Sequence, residues 1–281
     1  VADRTVPGGP PVPDGGTHPG APGRPGRVVA VVPLRDGTSG KSRLAHVLDP
    51  TTRSRLVAVL ARHVVATLLA SDGVERVVVV TSDPRFTWRA LRDVVVDPAT
   101  ADDPDGPPLL TADADRVRIV LQPADRPGLN AAVDVGREVA AQDGPVRLLV
   151  THADLPALST DDVAALLAED APVVVATDRH RSGTNLLVVD ADLVTSPSTT
   201  LVPVSSAERQ QPRARQEAFA FRFGPDSRAA HLAEAERLGA RAAVVHRPGT
   251  ATDLDTLDDW GELPAPVRAA VGQQVPGLPP A

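Results

Sequence analysis

The chain has 281 residues, 42% of them apolar, no cysteine, and a formal net charge of −7. That length and apolar content suffice for one sizeable core, while the missing cysteines exclude disulfides, zinc–thiolate sites and thiol catalysis together. No apolar run reaches the ~18 residues of a membrane span, the first residues lack the apolar stretch of a signal peptide, and no basic stripe offsets the acidic balance. A cytoplasmic protein that binds neither membrane nor nucleic acid is therefore expected.

Residues 1–26 are rich in Pro and Gly without apolar periodicity and read as a disordered leader. "RVVAVVPL" (27–34) and "ERVVVVTSD" (75–83) are continuous valine-rich runs, as strands covered on both faces should be. Between them, 50–73 reads as a helix with Thr51 or Thr52 as N-cap and Gly73 closing it. Residues 97–116 break the pattern and read as a loop insertion. The unit then repeats with "VRIVLQ", a helix through "LNAAVDVGREVAAQ" and the strand "PVRLLVTHAD". A short capped helix "LSTDDVAALLAED" precedes strands "PVVVATD" and "NLLVVD"; a second insertion spans 195–217. "FAFRFG" (219–224) reads as another strand piece, followed by the helix "DSRAAHLAEAERLG" and the strand "RAAVVHRPG". A core domain over 27–262 and a loose tail over 263–281 complete the reading. Alternation of this kind predicts an α/β sandwich on a mostly parallel sheet with some antiparallel pieces.

Ligands of such sheets bind beyond the carboxyl ends of the strands. After the first run lies "RDGTSGKSR", which ends in Gly-Lys-Ser. A P-loop needs four residues between its first glycine and the Gly-Lys pair; here the required position holds Arg35, so the P-loop reading fails. Glycines beside Lys41 and Arg43 still suit a polyphosphate, with an ordinary solvated turn as the alternative. Residue usage is skewed toward Ala, Val, Arg, Asp and Pro, as in a very GC-rich genome. Against that drift Lys41 is the only lysine, and the only asparagines, Asn130 and Asn185, sit in short Gly-containing motifs.

Asp154 follows an apolar strand, where an isolated carboxylate is costly without a cation or donors. Asp253 and Asp255 lie two apart in "TATDLDTLDDW" and share a face if extended. Carboxylates at two strand ends form a candidate Mg²⁺ cage. Thr256 suits the N-cap of the helix beginning "LDDW". "HRSGTNLL" offers Thr184 beside a strand start, and "FGPDSRAAH" places Gly224 and Ser227 at a strand-to-helix turn suited to an anion; both also occur as plain turns. His152 either lines the site or packs away from it, and no Ser-His-Asp arrangement is specified.

Taken in order, "LRDGTSGKSRLA", "RPGLNAAV", "ADLPAL", "GTNLL", "FGPDSRAAHLAEA" and "DLDTLDDW" resemble the phosphoenolpyruvate / 2-phospho-L-lactate guanylyltransferase family over roughly residues 28–260. The resemblance implies a single-domain, three-layer, nucleotide-diphospho-sugar-transferase-like (Rossmann-like) fold. It also implies transfer of GMP from GTP to a small phosphorylated acid, with release of pyrophosphate, in coenzyme F-420 biosynthesis. By motif, Asp154 and Asp253 match Mg²⁺-binding carboxylates with Asp255 accessory. Thr184, Gly224 and Ser227 match acceptor-holding positions, Lys41 the basic residue of the nucleotide loop with Arg43 beside it, and Gly128 and Asn130 the surroundings of base or ribose. The GC-rich usage favours phosphoenolpyruvate over (2S)-2-phospholactate as acceptor. Rival readings are 3-phosphoglycerate as acceptor, another small-molecule nucleotidyltransferase of this fold, and a non-catalytic nucleotide-binding regulator. A homodimer is left open. The leader, the insertions and a "THADLP" where relatives often carry Gly or Pro before the Asp depart from the family pattern; the 195–217 insertion bears on acceptor preference more than on chemistry.

Overall fold

A computed structural model describes residues 26–35, 41–97, 109–144, 146–193 and 218–279. All of the 1–26 leader but Gly26, the middle of the first insertion, the 195–217 insertion, and Gly37 and Gly40 lie outside the described residues. The strands are β1 (Val28–Leu34), β2 (Val74–Thr81), β3 (Val117–Leu121), β4 (Arg147–Thr151), β5 (Val173–Thr177), β6 (Thr184–Asp190) and β7 (Ala242–Val245). They form one seven-stranded sheet in the order β3-β2-β1-β4-β6-β5-β7. All pairs are parallel except those of β6, which runs antiparallel to both β4 and β5.

The helices are α1 (Pro50–Ala70), α2 (Pro84–Val95), α3 (Leu129–Ala140), α4 (Thr160–Ala168), α5 (Ser227–Arg237), α6 (Pro248–Ala251), α7 (Leu257–Glu262) and α8 (Ala265–Gln274). Alternation along β1 divides the core. Val28, Ala30 and Val32 face α1, α2 and α4, whereas Val29 and Val31 face α3 and α5. Burial on both faces is why the strands read as unbroken apolar runs. Gly136 lets α3 approach the sheet closely: a methyl there would overlap the Val31 side chain. These two faces and the sheet make the three layers expected.

Several local expectations are corrected. The cap of α1 is Asp49, whose carboxylate accepts from the Thr51 and Thr52 N–H groups, so the threonines lie inside the first turn. Helix α2 was not read in the sequence; Asp83 caps it and Pro84 occupies its first position. The supposed loose tail contains α8, and Val271 and Val275 are buried there. Thr256 does cap α7, in a capping box with Asp259.

The "FAFRFG" segment carries no regular strand over 219–223. Its alternating Phe219, Phe221 and Phe223 are buried as a strand's would be. Its backbone, however, is held mostly by side chains, apart from the Phe219 N–H, which donates to the Leu193 carbonyl at 2.8 Å. Glu234 Oε1 accepts from Ala220 N, His231 Nε2 from Arg222 N, and Asn130 Oδ1 from Phe223 N. Arg137 donates to the Phe219 carbonyl at 2.6 Å.

A third apolar cluster sits at the carboxyl end of the sheet. Leu44, Leu48, Leu56 and Leu60 pack there with Leu254, Trp260, Leu263 and Val271. Leu44 anchors the 3₁₀ turn Ser42–Leu44 and Leu254 anchors the segment before α7, so residues 210 positions apart in the chain share one support.

Candidate active site

Two adjoining cavities open at the carboxyl ends of β1, β2 and β4, where a sheet of this topology binds ligands. The first, about 300 Å³, is bordered by Val80, Ser82, Gln122, Pro123, Ala124 and Gly128. The second, about 360 Å³, is bordered by Lys41, Val57, His152, Asp154 and Asp255. Pro33, Leu34, Arg35 and Leu129 line both and form the divide between them.

Lys41 stands at the foot of the 3₁₀ turn with φ 56°, a left-handed conformation uncommon for a residue with a side chain. Its Nζ donates to Asp154 Oδ2 at 2.5 Å and to Asp255 Oδ1 at 2.6 Å, and its side chain is only 7% exposed. Burial alone disfavours the ammonium, but the charges of Asp154 and Asp255 outweigh it and hold the Lys41 pKa above its ordinary value. Asp154 is the mirror case: burial pushes its carboxyl up, and Lys41 with His152 brings it down below the usual value.

Asp154 lies three residues beyond β4, and its carbonyl accepts the Leu254 N–H at 3.0 Å. That bond clips the two acidic stretches together, with Asp253 and Asp255 on either side of the buried Leu254. The Asp253 carboxyl is pushed up by burial and by the neighbouring charges of Asp154 and Asp255. Asp154 Oδ1 is buried with no hydrogen-bond partner. Among the described residues no three acidic or histidine side chains form a ready-made metal cage.

Behind His152, which borders the second cavity, and Phe223 lies a buried polar relay that includes Thr184 and Ser227. Ser227 Oγ, at the start of α5, accepts the Thr184 N–H at 2.8 Å. His231 Nε2 accepts from the Arg222 N–H, so the ring proton is on Nδ1 and donates to Thr184 Oγ1 at 3.0 Å. Burial lowers the His231 pKa to about 4, keeping the ring neutral. Gly224, at φ 141°, supplies a backbone conformation that side chains avoid. The Phe223 ring bridges the relay to the cavity, 4.8 Å from the His231 ring and 5.5 Å from that of His152.

The structure therefore brings Lys41, Asp154 and Asp255 together, with Asp253 close enough to feel the charges of the two carboxylates. Thr184, Gly224 and Ser227 border neither cavity; Thr184 and Ser227 are buried, and Phe223 and His152 lie between their relay and the second cavity. Gly128 borders the first cavity, as N-cap of α3 with φ 94°. Asn130 is engaged elsewhere: its amide both donates to the Phe223 carbonyl at 3.1 Å and accepts the Phe223 N–H at 2.8 Å. Arg43 is exposed and borders neither cavity. Sequence reasoning gave no site role to Arg35, Gln122 or His231; Arg35 and Gln122 follow directly on β1 and β3, a signal within reach, whereas the contacts of His231 with Thr184 and Arg222 depend on the fold. His152 both borders the cavity and packs on Phe223. Asn185 is a buried tie, donating to the Thr250 carbonyl at 2.9 Å.

This architecture, with charged groups gathered beyond the carboxyl ends of its strands, is the fold of the nucleotide-diphospho-sugar transferases. A protein from Desulfovibrio desulfuricans G20, provisionally assigned to that class, superposes with a TM-score of 0.54 over 83% of this chain and 84% of its own, at 13% identity. The phosphoenolpyruvate guanylyltransferase of Rubrobacter xylanophilus is 36% identical over 241 residues, covering 85% of this chain and 94% of the relative. That of Sphaerobacter thermophilus is 31% identical over 246 residues, covering 86% and 96%. No family model matches the chain. The chain belongs to the phosphoenolpyruvate guanylyltransferase family, and is an enzyme of the nucleotidyltransferase type. Among the described residues no helix is long and apolar enough to cross a membrane.

Proposed function

We propose that the protein transfers GMP from GTP to phosphoenolpyruvate, forming enolpyruvyl-diphospho-guanosine and pyrophosphate, as a step toward coenzyme F-420. The observation that carries this reading is the meeting of Lys41, Asp154 and Asp255 at a two-part cleft, in a chain of this family. One cavity suits a nucleoside and the other its phosphates.

The residues fit a bound Mg²⁺. Asp154 Oδ1 is an orphaned buried oxygen, and burial, followed by the charges of Asp154 and Asp255, pushes the Asp253 carboxyl up, a cost that a hard cation would relieve. Asp154 and Asp253 would hold the ion, with Asp255 accessory, and phosphate oxygens and water would complete its shell. When bound, it would offset charge on the triphosphate and the departing pyrophosphate.

The acceptor's phosphate is already ionised at neutral pH, so no general base is needed. One of its oxygens forms a bond to the α-phosphorus of GTP as the bond to the bridging oxygen of pyrophosphate breaks. The chain's tasks are alignment and charge compensation. Thr184 and Ser227 each accept one hydrogen bond within the protein, which leaves each hydroxyl its own proton to donate to an acceptor oxygen. Lys41 meets the triphosphate from the opposite side.

The test is pyrophosphate release measured across GTP, CTP and ATP, each with phosphoenolpyruvate, (2S)-2-phospholactate and 3-phosphoglycerate. Fast, Mg²⁺-dependent release confined to GTP with phosphoenolpyruvate is expected. Faster release with another pair would reassign the substrate, and GTP binding without release would make the protein a regulator.

A further inference from the structure

We propose that Lys41 is a placeholder cation: its ammonium bridges Asp154 and Asp255 while the metal position is empty, and is displaced toward the triphosphate when a divalent ion binds. This rests on the reading of the acidic cluster as the metal carboxylates. Three observations carry it.

The first is the geometry. One nitrogen bonds two carboxylates from distant stretches at 2.5 and 2.6 Å, as a small cation shared by both would. A compact ammonium on a flexible stem suits that position, whereas the broad planar guanidinium of arginine does not. This explains why a chain that otherwise uses arginine for every basic position keeps one lysine here.

The second is the charge. One ammonium faces Asp154 and Asp255 with Asp253 alongside, so acidic groups outnumber the cation that neutralises them. A divalent ion would answer the cluster better than a monovalent one. The displaced ammonium would leave a carboxylate pair for phosphate oxygens in the same cavity, so metal and nucleotide should each favour binding of the other.

The third is the backbone. Lys41 adopts φ 56°, a region that L side chains avoid, with its carbonyl accepting the Leu44 N–H at 3.0 Å and its ammonium on the two carboxylates. Once those pairs are exchanged for phosphate contacts, the described side-chain ties of Lys41 are gone, while its carbonyl still accepts the Leu44 N–H. Its neighbour Leu44 stays anchored in the apolar cluster, so the release is confined to the base of the turn.

A single lysine gives the test its probe. Amine acylation of the native protein, read by mass on the peptide containing Lys41, distinguishes it from the terminal amine. Mn²⁺ binding is followed in parallel by electron paramagnetic resonance, with and without GTP. Slow acylation without metal, rising severalfold as Mn²⁺ saturates, is the expected result. Lys41→Gln should also bind Mn²⁺ about tenfold more tightly than the native chain when no nucleotide is present. If Mn²⁺ binds but acylation does not change, the placeholder is refuted while the metal assignment stands. If Mn²⁺ binds under neither condition, both fall. Should Lys41→Gln not fold, the acylation experiment on the native protein decides alone.

Discussion

The Leu254 N–H donates to the carbonyl oxygen of Asp154 across 3.0 Å, and this one backbone bond joins two acidic stretches a hundred residues apart. The carboxylates themselves repel. The main-chain bond and the burial of Leu254 beside Leu44 and Trp260 hold the two stretches in spite of that, and the Lys41 ammonium between Asp154 and Asp255 offsets part of the repulsion.

Asp154→Asn should therefore leave the fold intact and remove catalysis. The isosteric amide keeps the backbone bond to Leu254 but loses the charge facing Lys41. A fall of at least about a hundredfold in pyrophosphate release is expected, with an unchanged circular dichroism spectrum. Turnover near that of the native protein at limiting Mg²⁺ would contradict the role given to this carboxylate.

Asn130→Ala should act on the acceptor side and leave the nucleotide side largely alone. Both polar ends of the amide hold the Phe223 main chain, and Phe223 in turn packs on His152 and His231. The KM for phosphoenolpyruvate should rise about tenfold, the effect of a modest misplacement, with the KM for GTP changed much less. The opposite split would return Asn130 to the nucleotide.

His231 makes stability depend on pH. Its folded pKa of about 4 lies below its ordinary value of 6.5, so the unfolded chain binds more protons between these values. The contribution is fully present above pH 6.5 and is lost as pH falls toward 4. Urea titrations at pH 7 and pH 5 should differ by about 2 kcal/mol from this residue. His231→Gln should be less stable at pH 7 and show a correspondingly shallower dependence; equal slopes in the two proteins would exclude the assignment.

Gly136→Ala should destabilise the fold by about 1–3 kcal/mol, since the added methyl meets Val31 in a packed core. Combining it with Val31→Ala should recover much of the loss in thermal melts, because the two residues share one space. Strict additivity of the two changes would show that α3 and β1 do not meet there.

The layers were legible because doubly covered strands are nearly uniform valine and the helices between them carry ordinary caps. Lys41, Asp154 and Asp255 were legible too, through rarity in one case and through position after apolar runs in the others. Helix α2 was overlooked beneath its arginines, although the Asp83-Pro84 start and the recurrence of Phe86, Ala90, Leu91 and Val95 at helical spacing both mark it. Helix α8 was hidden by prolines on both sides, although Val267, Val271 and Val275 recur at helical spacing. The "FAFRFG" segment misled for a physical reason: its alternation reports one buried face and says nothing of what bonds the backbone. Asn130 was read from its motif, and only the fold reveals that its amide reaches 93 residues away.

That segment also bears on how such a site is retuned. A strand inside a ladder moves only with its neighbours, whereas 219–223 is tied by the side chains of Asn130, Arg137, His231 and Glu234, with one main-chain bond from the Phe219 N–H to the Leu193 carbonyl. Exchanging one of these hooks should shift Phe223, which packs on His152 at the rim of the second cavity, by a small step and leave the sheet's registration untouched. A segment hung this way is adjusted a residue at a time.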